Sequence, residues 1–257
     1  MSNDDPLILT PEGHLLTIEI NRPPANAMNL AAFSALEKAL DEAENERNVR
    51  VIILTGSGVK GFSAGMDLSD RSGGDVVTLK AQSVCNRIEA MSKPVIAAIN
   101  GYALGGGCEI AISCHYRFMV DAEKAIIGLP ETELGVMPVW GGTQRLPRLV
   151  GRSKATEMIV LSQRIGAQQA HSIGLVDRVC SRETLMSDVK EFANAFAARP
   201  PLAVQAVMRS IHTGINQGIA AGLQQELDQV KTLSGSKDAI EGKTAFFEKR
   251  KPVFTGE

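Results

Sequence analysis

The chain has 257 residues, of which 44% are hydrophobic and 22% charged, with a formal net charge of -2. That length buries a substantial core in one large domain or two small ones, and the composition is that of a globular protein rather than a disordered or fibrous one. The near-neutral charge argues against a nucleic-acid partner, and no run approaches eighteen apolar residues, so no membrane contact is expected; the acidic start MSNDDPLILTPEG lacks the marks of a targeting segment, which makes a cytoplasmic location the expectation.

In chain order, HLLTIEI (14–20) alternates, with Leu16, Ile18 and Ile20 on one face, and VRVIILT (49–55) is a nearly continuous apolar run. Both read as strands, the second buried on both faces. Between them Phe33, Leu36, Leu40 and Ala43 recur at helical spacing behind Asn29, a suitable N-cap. The pattern repeats as a helix over about 76–91, a strand PVIAAIN, a glycine turn, a short helix CEIAISC and a strand YRFMV. Alternating strands and helices predict an α/β fold. The last third holds long amphipathic helical stretches that such a core does not obviously need. We expect an α/β core over 1–195 and a helical subdomain over 196–257.

The cysteines at 85, 108, 114 and 180 are widely spaced and read as reduced thiols, and the Cys114–His115 pair lacks the further ligands of a closed zinc site, so no metal is expected. Gly56, Gly58 and Gly61 match the dinucleotide-binding pattern G-x-G-x-x-G after a strand. That fingerprint requires a helix opening at the glycines, and GFSAGMDLSDRSGGD follows instead.

NGYALGGGCEIA (100–111) is more informative. Gly is expensive to order, so three in a row imply a backbone that a side chain would obstruct. A helix starting after this turn leaves unpaired N–H donors near Gly106, and the turn SAGMD (63–67) after another strand offers a second source of donors. Two converging N–H groups form an oxyanion hole; the alternative is two tight strand-to-helix turns. Glu109, in the first turn of the short helix, and Glu131, after Pro130, are carboxylates in apolar settings. Singly they read as a charge complementing the helix dipole and an exposed loop acid. Together they suggest general acid–base chemistry.

From about Leu15 to Phe254 the chain resembles the enoyl-CoA hydratase/isomerase (crotonase) family, through NRPPANAMN, GFSAGMDL, KPVIAAINGYALGGGCEIAISC, GLPETELGVMPVWGGTQRLPRLVG, AHSIGLVDRV and EGKTAFFEKRKPVF in the family's order. The resemblance implies a crotonase-like spiral of ββα units with a C-terminal helical trimerisation region, an acyl-CoA substrate, no cofactor, and a homotrimer or dimer of trimers. It implies that the N–H groups of Met66 and Gly106 hold the thioester oxygen, that a Cβ at Gly106 would collide with the thioester, and that the Ala64 backbone meets the CoA adenine. Members that hydrate 2-enoyl-CoA carry acids at the positions of both Glu109 and Glu131. The implied reaction is therefore syn hydration of a 2-enoyl-CoA to a 3-hydroxyacyl-CoA, with an enoyl-CoA isomerase or another thioester-enolate reaction as the alternative. A non-catalytic CoA-binding scaffold is the third reading, which the retained pair of acids disfavours. Trp140 stands where hydratases often have a small residue, either lining the acyl pocket or anchoring its loop. Glu133 adds a third carboxylate near Glu131, and Lys249, Arg250 and Lys251 form a short basic run that meets CoA phosphates or solvent.

Overall fold

VIILTG forms a central strand because every one of its residues is buried, as a parallel strand covered on both faces requires. In the computed structural model, which describes residues 5–257, it is the third of ten strands; the first four residues of the acidic start lie outside that range. The chain runs through β1 (Leu7–Glu12), β2 (Leu15–Ile20), α1 (Leu30–Asn45), β3 (Val51–Gly56), β4 (Gly61–Ser63), α2 (Gly74–Glu89), β5 (Val95–Ile99), β6 (Tyr102–Leu104), α3 (Gly106–Ser113), β7 (Tyr116–Val120) and β8 (Ile126–Gly128). A 3-10 turn (Glu131–Leu134) leads to α4 (Gly142–Val150), α5 (Arg152–Val160), β9 (Arg164–Gly166), α6 (Ala167–Ser172), β10 (Arg178–Cys180), α7 (Leu185–Ala197), α8 (Pro201–Gln217), α9 (Ile219–Leu233) and α10 (Lys237–Glu248).

The strands divide into two sheets, in the orders β1-β2-β3-β5-β7-β10 and β4-β6-β8-β9. In the larger sheet only β1 is antiparallel to its neighbour; Ile53 pairs with Ile96 and Ala98 with Phe118 in the parallel ladder. Each turn of the chain places one strand in the larger sheet, the next in the smaller sheet, and then a helix: β3-β4-α2, then β5-β6-α3. This is the expected spiral of ββα units. It brings the loops after β4, β6 and β8 side by side, since those strands are neighbours in the smaller sheet.

Two features differ from the sequence reading. The smaller sheet was not anticipated, because its three-residue strands are too short to show a period of two, and neither was β1, which is six residues long but carries Pro11 and buries only Leu7. The G-x-G-x-x-G stretch is the corner between β3 and β4. No helix follows until Gly74, and Asn100 Nδ2 donates to the carbonyls of Gly56 and Gly58 at 2.8 Å each. The predicted N-cap is present: Asn29 Oδ1 accepts from Ala32 N at 2.9 Å.

The segment 25–28 runs along the loop after β4 and fixes its path. Ala64 N donates to Ala25 O (3.0 Å), Met28 N to Gly65 O (2.7 Å), Asp67 N to Met28 O (2.9 Å), and Ser63 Oγ to Asn26 O (2.7 Å). Asn26 holds this arrangement in the left-handed region, with φ 51°, which Asn tolerates better than most residues. Its Nδ2 donates to Ser57 O and Gly61 O at 3.0 and 2.9 Å, and its Oδ1 accepts from Arg22 N at 3.2 Å.

The helices α8 and α9 expose Val207, Ile211 and Ile215, and Leu223, Leu227 and Val230, each set at helical spacing. The chain end returns to the core: Arg50 donates to Ala197 O and Phe254 O, and Asp238 accepts from Thr255 N and Gly256 N. No helix among the described residues is long and apolar enough to cross a membrane.

Asn26→Ala should lower the free energy of unfolding by about 2–5 kcal/mol, since it leaves two carbonyls without their donor and puts Ala in a left-handed conformation. Urea titration followed by circular dichroism measures this, and an unchanged midpoint would count against the role given to Asn26.

Candidate active site

The glycine turn after β6 delivers a helix start to the middle of the molecule. Gly105, with φ 55°, bends the chain into α3, and its N–H donates to Gly128 O at 3.0 Å. Gly106 is the first residue of α3, so its N–H has no intrahelical acceptor, and it donates to no other protein acceptor among the described residues. The loop after β4 lies against it: a Cβ on Gly65 would come within 2.6 Å of Gly106 N. Met66, in a parallel bridge with Met28, likewise has an N–H that no described group accepts. The two turns singled out from sequence therefore meet, with both named donors unclaimed.

Gly106 needs correcting in one respect. The group that a Cβ there would strike first is the indole of Trp140. Trp140 is 2% exposed and packs edge-on against Phe33, with ring centroids 5.0 Å apart. It is an anchored indole laid on the glycine turn, and enlarging Gly106 would displace it whatever a ligand does.

Both carboxylates border this turn. Glu131 leads the 3-10 turn after β8, and a Cβ on Gly105 would lie 3.1 Å from its Oε1; its Oε2 is buried with no protein partner. Glu109, in the first turn of α3, is 2% exposed. Its Oε1 accepts two backbone N–H bonds, from Trp140 and Gly142, each 2.8 Å long. Trp140 was singled out from sequence for its indole, but the backbone donors of Trp140 and Gly142 were not recognised, although the paired glycines ahead of an amphipathic helix were a signal of close backbone approach.

Burial pushes the Glu109 carboxyl up to about 7; the N–H bonds from Gly142 and Trp140 and the charge of Arg145 oppose the rise, while the Glu131 carboxylate adds to it. Burial also raises Glu131. Two acids with raised affinity for protons, facing one turn, are suited to exchanging protons with a bound ligand.

The remaining candidates separate. Ala64 is exposed, and with its N–H given to Ala25 O its carbonyl is the backbone group left to meet a ligand. Glu133 turns away into an exposed ion pair with Arg164, at 2.8 and 2.5 Å, which lowers its pKa. Arg250 is held by Glu241 and Glu248, and Lys249 caps α10. His115 Nδ1 accepts from Val95 N at 2.9 Å, and burial holds its pKa down to about 4. All four cysteines are buried thiols, and burial raises Cys108, beside Glu109, well above the usual range.

Residues 11–257 match the family model described as enoyl-CoA hydratase/isomerase. The chain belongs to that family. It is 40% identical over 251 residues to the short-chain-enoyl-CoA hydratase of Clostridium acetobutylicum, covering 95% of each chain. It is 36% identical over 258 residues to the carnitinyl-CoA dehydratase of Salmonella enteritidis, covering 97% of this chain and 98% of that one. The crystal structure of enoyl-CoA hydratase from Bacillus anthracis superposes with a TM-score of 0.93 at 38% identity, covering 98% of this chain and all of the other. The fold of this family member is thus the crotonase fold, and the chain is an enzyme of the enoyl-CoA hydratase/isomerase family.

Glu109 links the site to stability with a definite sign. Its folded-state pKa, about 7, lies above the ordinary glutamate value of 4.5, so ionisation carries no penalty below about pH 4.5. Between pH 4.5 and 7 the unfolded chain gives up the proton first, and stability falls. Glu109→Gln removes this penalty while keeping an oxygen for both N–H groups. Relative to the parent, it should gain more stability at pH 8 than at pH 5, by about 2.5 kcal/mol. Urea midpoints at the two pH values measure it; an equal effect at both would contradict the raised pKa.

Proposed function

We propose that this family member hydrates a 2-enoyl-CoA thioester to a 3-hydroxyacyl-CoA. The observation that carries the reading is the pairing of Glu109, anchored through one oxygen by two N–H donors, with Glu131 across a turn where Met66 and Gly106 present unclaimed N–H groups. With Oε1 anchored, Glu109 Oε2 is the atom left to orient a water molecule.

In the proposed sequence the thioester oxygen accepts from Met66 N–H and Gly106 N–H, which stabilise negative charge as it develops. Glu109 removes a proton from water as its oxygen bonds to C3, the C2–C3 π electrons move toward the thioester oxygen, and Glu131 delivers a proton to C2. The product carries H and OH added to one face. Glu109 ends protonated and Glu131 ionised, and exchange with solvent restores the pair. The two N–H donors favour the charge on Glu109, and the unpartnered oxygen of Glu131 favours the proton there. Dehydration of a 3-hydroxyacyl-CoA is the same path reversed. These groups handle every proton and charge, so no cofactor is written into the scheme. The Ala64 carbonyl is the group proposed to meet the adenine, and Trp140 is proposed as the wall of the acyl site beside Gly106.

A non-catalytic CoA-binding role is poorly supported by the same geometry. A carboxylate buried to 2% exposure with a raised pKa destabilises the fold, which a scaffold has no reason to retain.

Incubation with a panel of 2-enoyl-CoA thioesters, followed by loss of the conjugated absorbance and by product mass, tests the reaction. Hydration adds one water, whereas isomerisation leaves the mass unchanged. Glu109→Gln and Glu131→Gln should each lower turnover by about 10²–10⁴-fold, with substrate affinity little changed. The losses should not multiply in the double variant, because both acids serve one reaction. Retention of most hydration by Glu131→Gln would refute the two-carboxylate scheme.

We further propose that the exposed apolar stripes of α8 and α9 pack against copies of the same chain in a trimer or dimer of trimers. Light scattering at micromolar concentration should give three or six times the chain mass, and a monomer would exclude it.

A further inference from the structure

Arg145 is a buried cation in the second turn of α4, 6% exposed, whose donors are divided between two elements. Its Nε and Nη2 donate to Glu89 Oε2 at 3.0 and 2.9 Å, and Nη2 also to Asn86 Oδ1 at 2.6 Å; both acceptors lie on the last turns of α2. Its Nη1 donates to Trp140 O at 2.9 Å. The guanidinium lies against Gly141, where φ is 111° and a Cβ would strike Nη1. The residues on either side of Gly141, Trp140 and Gly142, are those whose N–H groups hold Glu109 Oε1. The planar fork therefore ties the carbonyl side of this loop to α2 while the loop's N–H side grips the carboxylate.

We propose that Arg145 is a positioning residue, which fixes the orientation of Glu109 by clamping the Trp140–Gly142 loop between α2 and α3. The inference rests on the hydration reading above, in which Glu109 must offer one oxygen to water at a fixed angle. The clamp works through geometry first: without it the two N–H donors are free to separate, and a carboxylate that turns by even an ångström loses its approach to the water.

The charge of Arg145 gives the clamp a second signature. The ionisable groups that act on Glu109 are Glu131 from the 3-10 turn and Arg145 from α4, with the neutral thiols of Cys85 from α2 and Cys108 beside it; Glu89 and Arg117 lie one step further out, against those thiols. Arg145 lowers the pKa of Glu109 and Glu131 raises it. Removing the guanidinium should thus move the acid limb of turnover to higher pH, an effect that loss of packing alone does not produce.

The test uses the full-length enzyme with crotonyl-CoA as the probe, measuring kcat and KM from pH 5 to 9 together with the thermal midpoint. Arg145→Met should lower kcat about 10- to 100-fold, leave KM within about twofold, and shift the acid limb upward. Arg145→Lys should return the limb toward its parental position while kcat stays reduced, because an ammonium restores the charge but not the fork. Glu89→Gln, a milder change should Arg145→Met fold poorly, loosens the anchor of the guanidinium, so it should lower kcat with KM little changed. Changes confined to the thermal midpoint, with kcat and the limb at parental values in Arg145→Met or, if that variant does not fold, with kcat at the parental value in Glu89→Gln, overturn the proposal. Glu109→Gln separates the two levels. If it abolishes hydration while the Arg145 and Glu89 variants behave as the parent, the positioning role alone falls; if it too retains parental turnover, both the hydration reading and the inference fall.

Discussion

The proposed hydration requires a carboxylate that stays usable as a base in a place from which water is largely removed, and much of the site's architecture fits that requirement. Burial favours the neutral form of Glu109, and the opposing stabilisation comes from two backbone N–H groups and a buried guanidinium. Backbone donors suit the task because they are fixed by the fold and carry no rotamer freedom of their own. They also make the acid depend on a loop, and through it on α2 and α4.

The spiral explains why these parts meet. Strands β4, β6 and β8 are adjacent in the smaller sheet, so the segments that follow them emerge together: the 63–67 turn, the glycine turn into α3, and the 3-10 turn carrying Glu131. Each successive ββα unit thus contributes one element to the same spot. The segment 25–28 closes the arrangement from outside the sheet by pairing with the 63–67 turn. A change of register in any of the three strands would move one component relative to the others, so the site's geometry is a property of the sheet rather than of the loops alone.

The large sheet and most helices were readable because their signals are long. The apolar run of β3, the Asn29 cap and the glycine turn ahead of Glu109 each span enough residues for period or turn chemistry to register. The two acids and both N–H donors were located by motif, and the structure brings them to one place. The backbone donors of Trp140 and Gly142, Arg145 and Asn26 were not recognised, because their roles lie in backbone contacts between segments far apart in sequence. Trp140 was ambiguous for the same reason: a sequence cannot say that an indole rests on a glycine 34 positions earlier. The reason for Gly106 was therefore incomplete as well, since the demand on its small size comes from inside the protein.

Cys108 adjoins Glu109 in sequence, and a thioester is among the acyl groups most readily captured by sulfur. A thiolate at that position would invite transfer of the acyl group from coenzyme A to the enzyme. Complete burial, with its pKa driven well above the usual range, keeps Cys108 in the S–H form that does not attack carbonyls. The apolar packing of α3 therefore keeps this thiol silent beside the carboxylate to which the proposed hydration assigns the activation of water.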